Sequence, residues 1–314
     1  MKKPKLSSHT IGIILVIIDS FFFSLMTLFV KLAGDVPTMQ KTFFRNFIAA
    51  IIAIIVLARS EEKFHIKKGS LPGLFARSIF GGVGMILNFW AIDHIGLADS
   101  NILNKMSPFF AIIVSIIVLS EVPNIVEVLA VVVAFIGAAF VVKPTTGLAS
   151  IPALIGLLSG LGAGIAYTFV RKLGKHGERG PVIVAFFSVF TCLLCAPFSV
   201  INFQPMTAKQ WLCLLGAGTV AAIAQFAITA AYKFAPAKEI SVFDYSQVIF
   251  ASIWGFLVFD EIPDKWSILG CGIIITTAFA KWYYNVHIQN KTWKNCTKTG
   301  TKNAYEPNNN GQSA

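Results

Sequence analysis

The chain has 314 residues, 55% of them hydrophobic and only 13% charged, with a formal net charge of +11. Soluble domains carry about 25% charged residues, and a soluble chain this apolar would expose large adhesive patches. The composition therefore excludes an ordinary soluble domain. The positive excess fits the loop bias of a membrane protein, whereas a nucleic-acid partner would need a basic face on a soluble domain.

The N-terminus carries Lys2, Lys3 and Lys5 ahead of an apolar run from Ile11. That outline is shared with signal peptides. The run continues past Asp19 to Ala33, so it reads as a retained helix. A helix needs about 20 mostly apolar residues to cross a bilayer. Ten such spans follow in order: 11–33, 38–58, 71–93, 97–119, 125–142, 151–172, 182–201, 209–233, 239–259 and 265–285. Turn chemistry separates them. Asp35-Val36-Pro37 divides the first pair, and Lys143-Pro144 ends the fifth span. Pro181 suits a first helical turn, where its missing N–H costs nothing. Thr207 to Gln210 is a capping-box pattern. Pro108 and Pro197 predict kinks in spans four and seven. Residues 286–314 are polar, rich in Asn and Lys and without apolar periodicity, and are expected to be a disordered tail. Two glycosylation acceptors there, at Asn290 and Asn295, are discounted because the tail is expected to be cytoplasmic.

With the N-terminus inside, the inner segments hold 18 Lys and Arg and the outer loops hold 4. Both termini are then expected to be cytoplasmic, in the cell membrane, with an even number of spans. The strongest internal signal is a repeat. A shift of 140 places Phe110, Ala111, Ile113, Val118, Glu121 and Pro123 on Phe250, Ala251, Ile253, Val258, Glu261 and Pro263. Each half holds five spans. An odd number inverts the second copy in the membrane, an arrangement common among secondary transporters. The expected fold is an all-α membrane protein of ten transmembrane helices in two inverted five-helix repeats. Its parts are an N-terminus over 1–10, repeats over 11–143 and 151–285, and the tail.

Several short motifs share the order and spacing of a known group. They are Phe44-Arg45, Gly96-Leu97-Ala98 leading to Pro108-Phe109-Phe110, Leu119-Ser120-Glu121, and Gly137 before Val142-Lys143-Pro144. The second copy adds Ala235-Pro236-Ala237 and Asp260-Glu261. Over residues 11–285 the chain resembles the drug/metabolite transporter superfamily, in particular chains with two EamA-type domains. The resemblance implies an alternating-access carrier of small metabolites, for export or uptake. Val248 stands where the first copy has Pro108, so the two halves are not expected to bend alike.

Ionisable groups within membrane helices are expensive and ask for a partner or a wet cavity. At about 1.5 Å per residue, Arg45 and Lys105 fall roughly 10–12 Å below the outer surface, and Asp19 and Asp244 roughly 8–12 Å above the inner one. Asn101, Asn104 and Lys105 share one helical face. The shift of 140 yields Ser241, Asp244 and Tyr245, again one face. Matching stripes on repeat-related helices suggest a shared interior, either as cavity lining or as a hydrogen-bond network. Arg45 and Lys105 could clamp a carboxylate or phosphate; Arg45 could equally snorkel. Asp19 and Asp244 could take a cation, an amine or a proton, or form a fixed bond between helices. Asn88, Trp90, Tyr167, Gln225 and Gln247 complete the expected binding cavity. Gly156, Gly160 and Gly164 at i+4 spacing predict close helix packing. Glu121 and Glu261 are expected to bind backbone N–H groups at helix ends.

No enzyme signature competes. The five histidines are scattered through polar breaks and tails. The Gly216-Ala217-Gly218 run imitates a dinucleotide fingerprint but lies inside a helix. Four of the five cysteines (Cys192, Cys195, Cys213, Cys271) sit in apolar runs, with Cys296 in the tail. They form no disulfide framework, and Cys192-x-x-Cys195 reads as apolar filler. No cofactor or metal is expected. The partners are a small-molecule metabolite and the lipid bilayer, with no nucleic acid. The remaining alternatives are a channel or a non-transporting membrane sensor.

Overall fold

The computed structural model describes residues 8–60, 62, 64–120, 123–142, 151–234 and 241–284. Glu121, Lys143-Pro144, Ala235-Pro236-Ala237, the first seven residues and the tail with its two acceptor sites lie outside the described residues, as does the side chain of Ser241. The described chain is almost entirely helical. Its α-helices are α1 (Ser8–Leu32), α2 (Thr38–Ala58), α3 (Leu71–His94), α4 (Leu97–Asn104), α5 (Ser107–Val118), α6 (Ile125–Val142), α7 (Ile151–Lys175), α8 (Gly180–Ile201), α9 (Ala208–Phe234), α10 (Ser246–Phe259) and α11 (Lys265–Tyr283). A 3₁₀ turn over Ser241–Tyr245 precedes α10.

Among the described residues, nine segments are long and apolar enough to cross a membrane, with α4 and α5 together forming one of them. The 19-residue α11 falls outside this set. Its ends carry Lys265 and Lys281, which dilute its hydropathy, and Trp266, Trp282 and Tyr283, which suit the membrane–water boundary. Local chemistry sets several ends. Pro181 lies in the first turn of α8. Thr207 and Gln210 form the reciprocal capping box, with bonds of 2.9 and 3.3 Å. Asn124 and Glu127 form a second one ahead of α6, at 2.9 Å each.

Two expected helices are interrupted. Span four breaks at Lys105–Met106, with Pro108 in the first turn of α5. Span nine is 3₁₀ over 241–245 and turns α at Ser246, a junction that falls on the Lys105–Met106 break after the shift of 140, although Val248 replaces the proline. The halves thus share the site of the break and differ in its form. The backbone repeats elsewhere too. Among the described residues, the non-glycine positions with positive φ are Ser120 (53°) and Asp260 (54°), again 140 apart.

Packing follows a twofold exchange of the halves. α1 packs on α9 and, correspondingly, α7 on α3; α2 packs on α8, α4 on α10, and α6 on α11. Lipid offers helices no hydrophobic reason to associate, so close packing must supply the attraction. Glycines allow it. A Cβ on Gly160 would lie 2.5 Å from the Leu103 carbonyl, and one on Gly164 would lie 2.7 Å from the Ser107 carbonyl. One on Gly270 would lie 2.5 Å from the Gly137 carbonyl across α6 and α11.

The halves are also tied at the end expected to face inward. The Lys67 and Arg179 amides each donate to Glu178 at 3.0 Å, and Arg179 pairs with Glu62 at 3.0 Å. Burial pushes the Glu178 carboxyl up, but these N–H bonds outweigh it and hold the group below its usual value. A carboxylate whose pKa falls on folding adds stability above its unfolded pKa, and that stability is lost as pH falls through the folded one.

Two predictions follow from this packing. Gly160→Ala should lower thermal stability in detergent by about 1–3 kcal/mol through overpacking. Gly272→Ala, where nothing lies within 4 Å, should not. Glu178→Gln should melt below the parent at neutral pH, with the gap closing below pH of about 4.

Candidate functional site

The two broken helices meet where they break. Each interruption frees backbone groups that need partners in a dry interior. The Tyr245 hydroxyl donates to the Lys105 carbonyl at 2.9 Å. The break also turns the Lys105 side chain toward the other half, where Nζ donates to Asp244 Oδ2 at 2.6 Å. Beside this pair, Gln247 Nε2 donates to Asn101 Oδ1 at 2.6 Å, and Asn101 Nδ2 bonds the Leu97 carbonyl at 2.7 Å. Asn101, Tyr245 and Gln247 are buried and mutually satisfied. Asn104 turns away to Ser159 on α7, at 3.1 Å. The two polar stripes therefore bond to each other, and 27% of the Asp244 side chain is exposed.

From α1, Ser20 Oγ donates to Asp244 Oδ1 at 3.3 Å. The neighbouring Asp19 is buried and bonds to the Asp244 carboxyl, while its Oδ1 has no hydrogen-bond partner among the described residues. Asp244 and Lys105 lie within its electrostatic reach. Two carboxylates thus share one ammonium group.

Tyr167 on α7 ties the charges together. Lys105, Asp244, Arg77 and Asp19 all lie within its electrostatic reach, yet it is 53% exposed.

Arg45 is buried on α2 and does not join Lys105. Its Nη1 donates to Asn46 Oδ1 at 2.8 Å and its Nε faces Met26 Sδ at 3.5 Å. Its charged neighbour is Arg77 of α3. The Arg77 guanidinium lies 4.1 Å from the Phe187 ring, and its Nε has no hydrogen-bond partner. Sequence reasoning assigned Arg77 no role. Its place six residues inside a predicted span was the available signal. The expected separation of Lys105 from Asp244 is bridged by the lysine side chain. Span nine starts its described course beside Lys105, and the lysine side chain reaches down to it.

The remaining candidates lie farther out. The Asn88 Oδ1 is buried without a partner. Trp90 stacks on His94 at 3.7 Å and lines an apolar pocket of about 400 Å³ with Pro37, Leu87 and Phe198. Gln225 shares a narrow crevice with Arg45, Phe187 and Ser188. At the end expected to face outward, a polar pocket of about 480 Å³ is lined by Lys31, Asp93, Asp99 and Glu261. There Lys31 pairs with Glu261, whose Oε2 accepts from the Leu97 amide at 2.9 Å, so the expected backbone contact of Glu261 is present. Lys41 pairs with Asp93 at 2.7 Å. Among the described residues no three His, Cys, Asp or Glu gather to hold a metal ion.

Comparison with known proteins agrees with this architecture. The model of the EamA-like transporter family matches residues 10–143 and 150–280. The chain is 34% identical over 271 residues to the pseudopaline exporter CntI of Pseudomonas aeruginosa, covering 85% of this chain and 94% of that one. It is 26% identical to human solute carrier family 35 member G1, covering 90% and 82%. It is 27% identical to a riboflavin transporter of Vibrio cholerae, covering 71% and 77%. A solved structure, described only as the crystal structure of a protein, superposes with a TM-score of 0.62 at 17% identity, covering 85% of this chain and 95% of that one. That last likeness is one of fold. The duplicated match spans nearly the whole helical region, and the chain is a membrane transporter of the EamA-like transporter family, not an enzyme.

Proposed function

We propose that this protein is a secondary-active carrier that exports a small metabolite by alternating access through the centre formed by Asp19, Lys105, Tyr167 and Asp244. It lies in the cell membrane with both termini cytoplasmic. The observation that carries this reading is the Lys105–Asp244 pair. It joins the two halves at the point where both of its helices leave α geometry. Ends of helical segments are where a rocking motion can be absorbed. A solute that competes for either partner loosens this tie between halves, and a ligand shifts a conformational balance only through such a difference in contacts. The direction rests on the exporter among the relatives.

Asp19, a second buried carboxylate set against Asp244 with no cation of its own among the described residues, supports a site built for something other than stability. A buried carboxylate without its own cation is costly, and functional sites keep such costs. The interactions at both ends, Lys31 with Glu261 and Arg179 with Glu62, cross between halves and are placed to open in turn.

Four outcomes test this reading. In proteoliposomes the parent protein should show saturable uptake and counterflow, which a channel lacks. Lys105→Gln or Asp244→Asn alone should abolish counterflow and cost about 1–3 kcal/mol, less than a fully buried pair because Asp244 is partly exposed. Lys105→Met with Asp244→Leu should recover most of the stability but none of the transport. Asp19→Asn should melt at or above the parent temperature while transport falls. Non-saturable flux, or full transport by the apolar double variant, would refute the carrier mechanism.

A further inference from the structure

The charges inside the bundle do not balance. Lys105 and Asp244 neutralise each other at 2.6 Å. Arg45 and Arg77 have no carboxylate partner among the described residues. The polar contacts of Arg45 are Asn46 and Met26, and Arg77 keeps an unpartnered Nε over Phe187. The remaining carboxylate, Asp19, lies against Asp244 and within reach of Lys105 rather than of either arginine. Resting on the carrier reading above, we propose that Arg45 and Arg77 seat an oxyanion, carboxylate or phosphate, of a net-anionic solute.

Three observations carry this. First, Arg45 is only 3% exposed, so its guanidinium does not snorkel to water. A buried cation with only neutral partners is expensive in a membrane protein, and an arriving anion would remove that cost. Second, Arg77 is held in a prepared position. Its Nη1 occupies the space that a Cβ on Gly81 would fill, and the Phe187 face supports the guanidinium from one side. A guanidinium stacked this way still presents its edge donors, which match an oxyanion in a planar fork. Third, the two arginines come from neighbouring helices α2 and α3. Arg77 lies within electrostatic reach of Arg45, and both lie within reach of the half-exposed Tyr167. Like charges held together in a dry interior gain most from a shared counter-ion. Both arginines belong to the first half, whereas the Lys105–Asp244 pair bridges the halves. The oxyanion seat is therefore separate from the tie that must loosen during transport.

The test uses the purified full chain in detergent, with thermal melting in sodium succinate, sodium citrate, sodium phosphate and choline chloride at matched ionic strength against sodium chloride. An anion that binds the folded state raises the melting temperature with its concentration. Succinate, citrate or phosphate should do so in the parent, and the ranking of the three separates a carboxylate seat from a phosphate seat. Arg45→Gln and Arg77→Gln should each raise the concentration required by about tenfold or more. Arg→Lys at either position should retain part of the effect, and Lys209→Gln, an exposed outer cation, should retain all of it. Should the Gln variants fail to fold, Gly81→Ala, which displaces the Arg77 guanidinium, should show the same loss.

The proposal is overturned if the oxyanions do no more than chloride in the parent, or if their effect survives in both arginine variants or in Gly81→Ala. Counterflow of labelled succinate, phosphate and choline in proteoliposomes separates the two readings. Choline counterflow without any oxyanion effect would leave the carrier standing and the seat refuted. An arginine-dependent melting shift without counterflow of any probe would leave the seat standing and count against the carrier.

Discussion

A bilayer supplies no hydrogen bonds, so every polar group carried into it must find a partner within the protein. This constraint organises the structure. Ladder bonds along unbroken helices meet it for most of the backbone. Where two helices break, Tyr245 caps the Lys105 carbonyl and Gln247 binds Asn101, so the freed groups of one half are satisfied by the other. The breaks are therefore also what joins the halves. Among the described residues, groups left without a partner include Asp19 Oδ1 and Arg77 Nε, and both residues lie within electrostatic reach of the half-exposed Tyr167.

Close approach without a hydrophobic driving force is the second constraint, and it explains the glycines. The Gly160 and Gly164 faces of α7 admit the α4–α5 region to backbone distance, which brings Lys105 near the centre of the bundle. Gly137 and Gly270 do the same for α6 and α11. The duplicated fold and its polar centre thus rest on the absence of side chains at a few positions as much as on the presence of charges at others.

Much of this was legible beforehand. The ten apolar spans, the repeat, the capping box at Thr207, the backbone contact of Glu261 and the tight packing on Gly160 all follow from local composition and spacing. Membership of the EamA-like family was legible from motif order. The candidate site was legible in part. Asp19, Lys105 and Asp244 drew notice because charges in apolar spans are rare, and the stripes on spans four and nine drew notice because they repeat. Their partners were not legible. Depth estimated from rise per residue assumes unbroken helices and ignores side-chain length. It separated Lys105 from Asp244, which touch, and grouped Lys105 with Arg45, which faces Arg77 instead.

The sequence by itself determined what repeats or accumulates along the chain: hydrophobic length, loop charge, helix caps and a shift of 140 residues. These are local or periodic properties, and each is set by neighbouring residues and the solvent they meet. The tertiary structure alone decided which charges neutralise each other and which remain. Lys105 meets Asp244 across 139 positions of chain, while Arg45 and Arg77 come within electrostatic reach of each other without a carboxylate partner among the described residues. Such pairings depend on where helices break and how closely they pack. Those are properties of the assembled bundle that no single segment encodes.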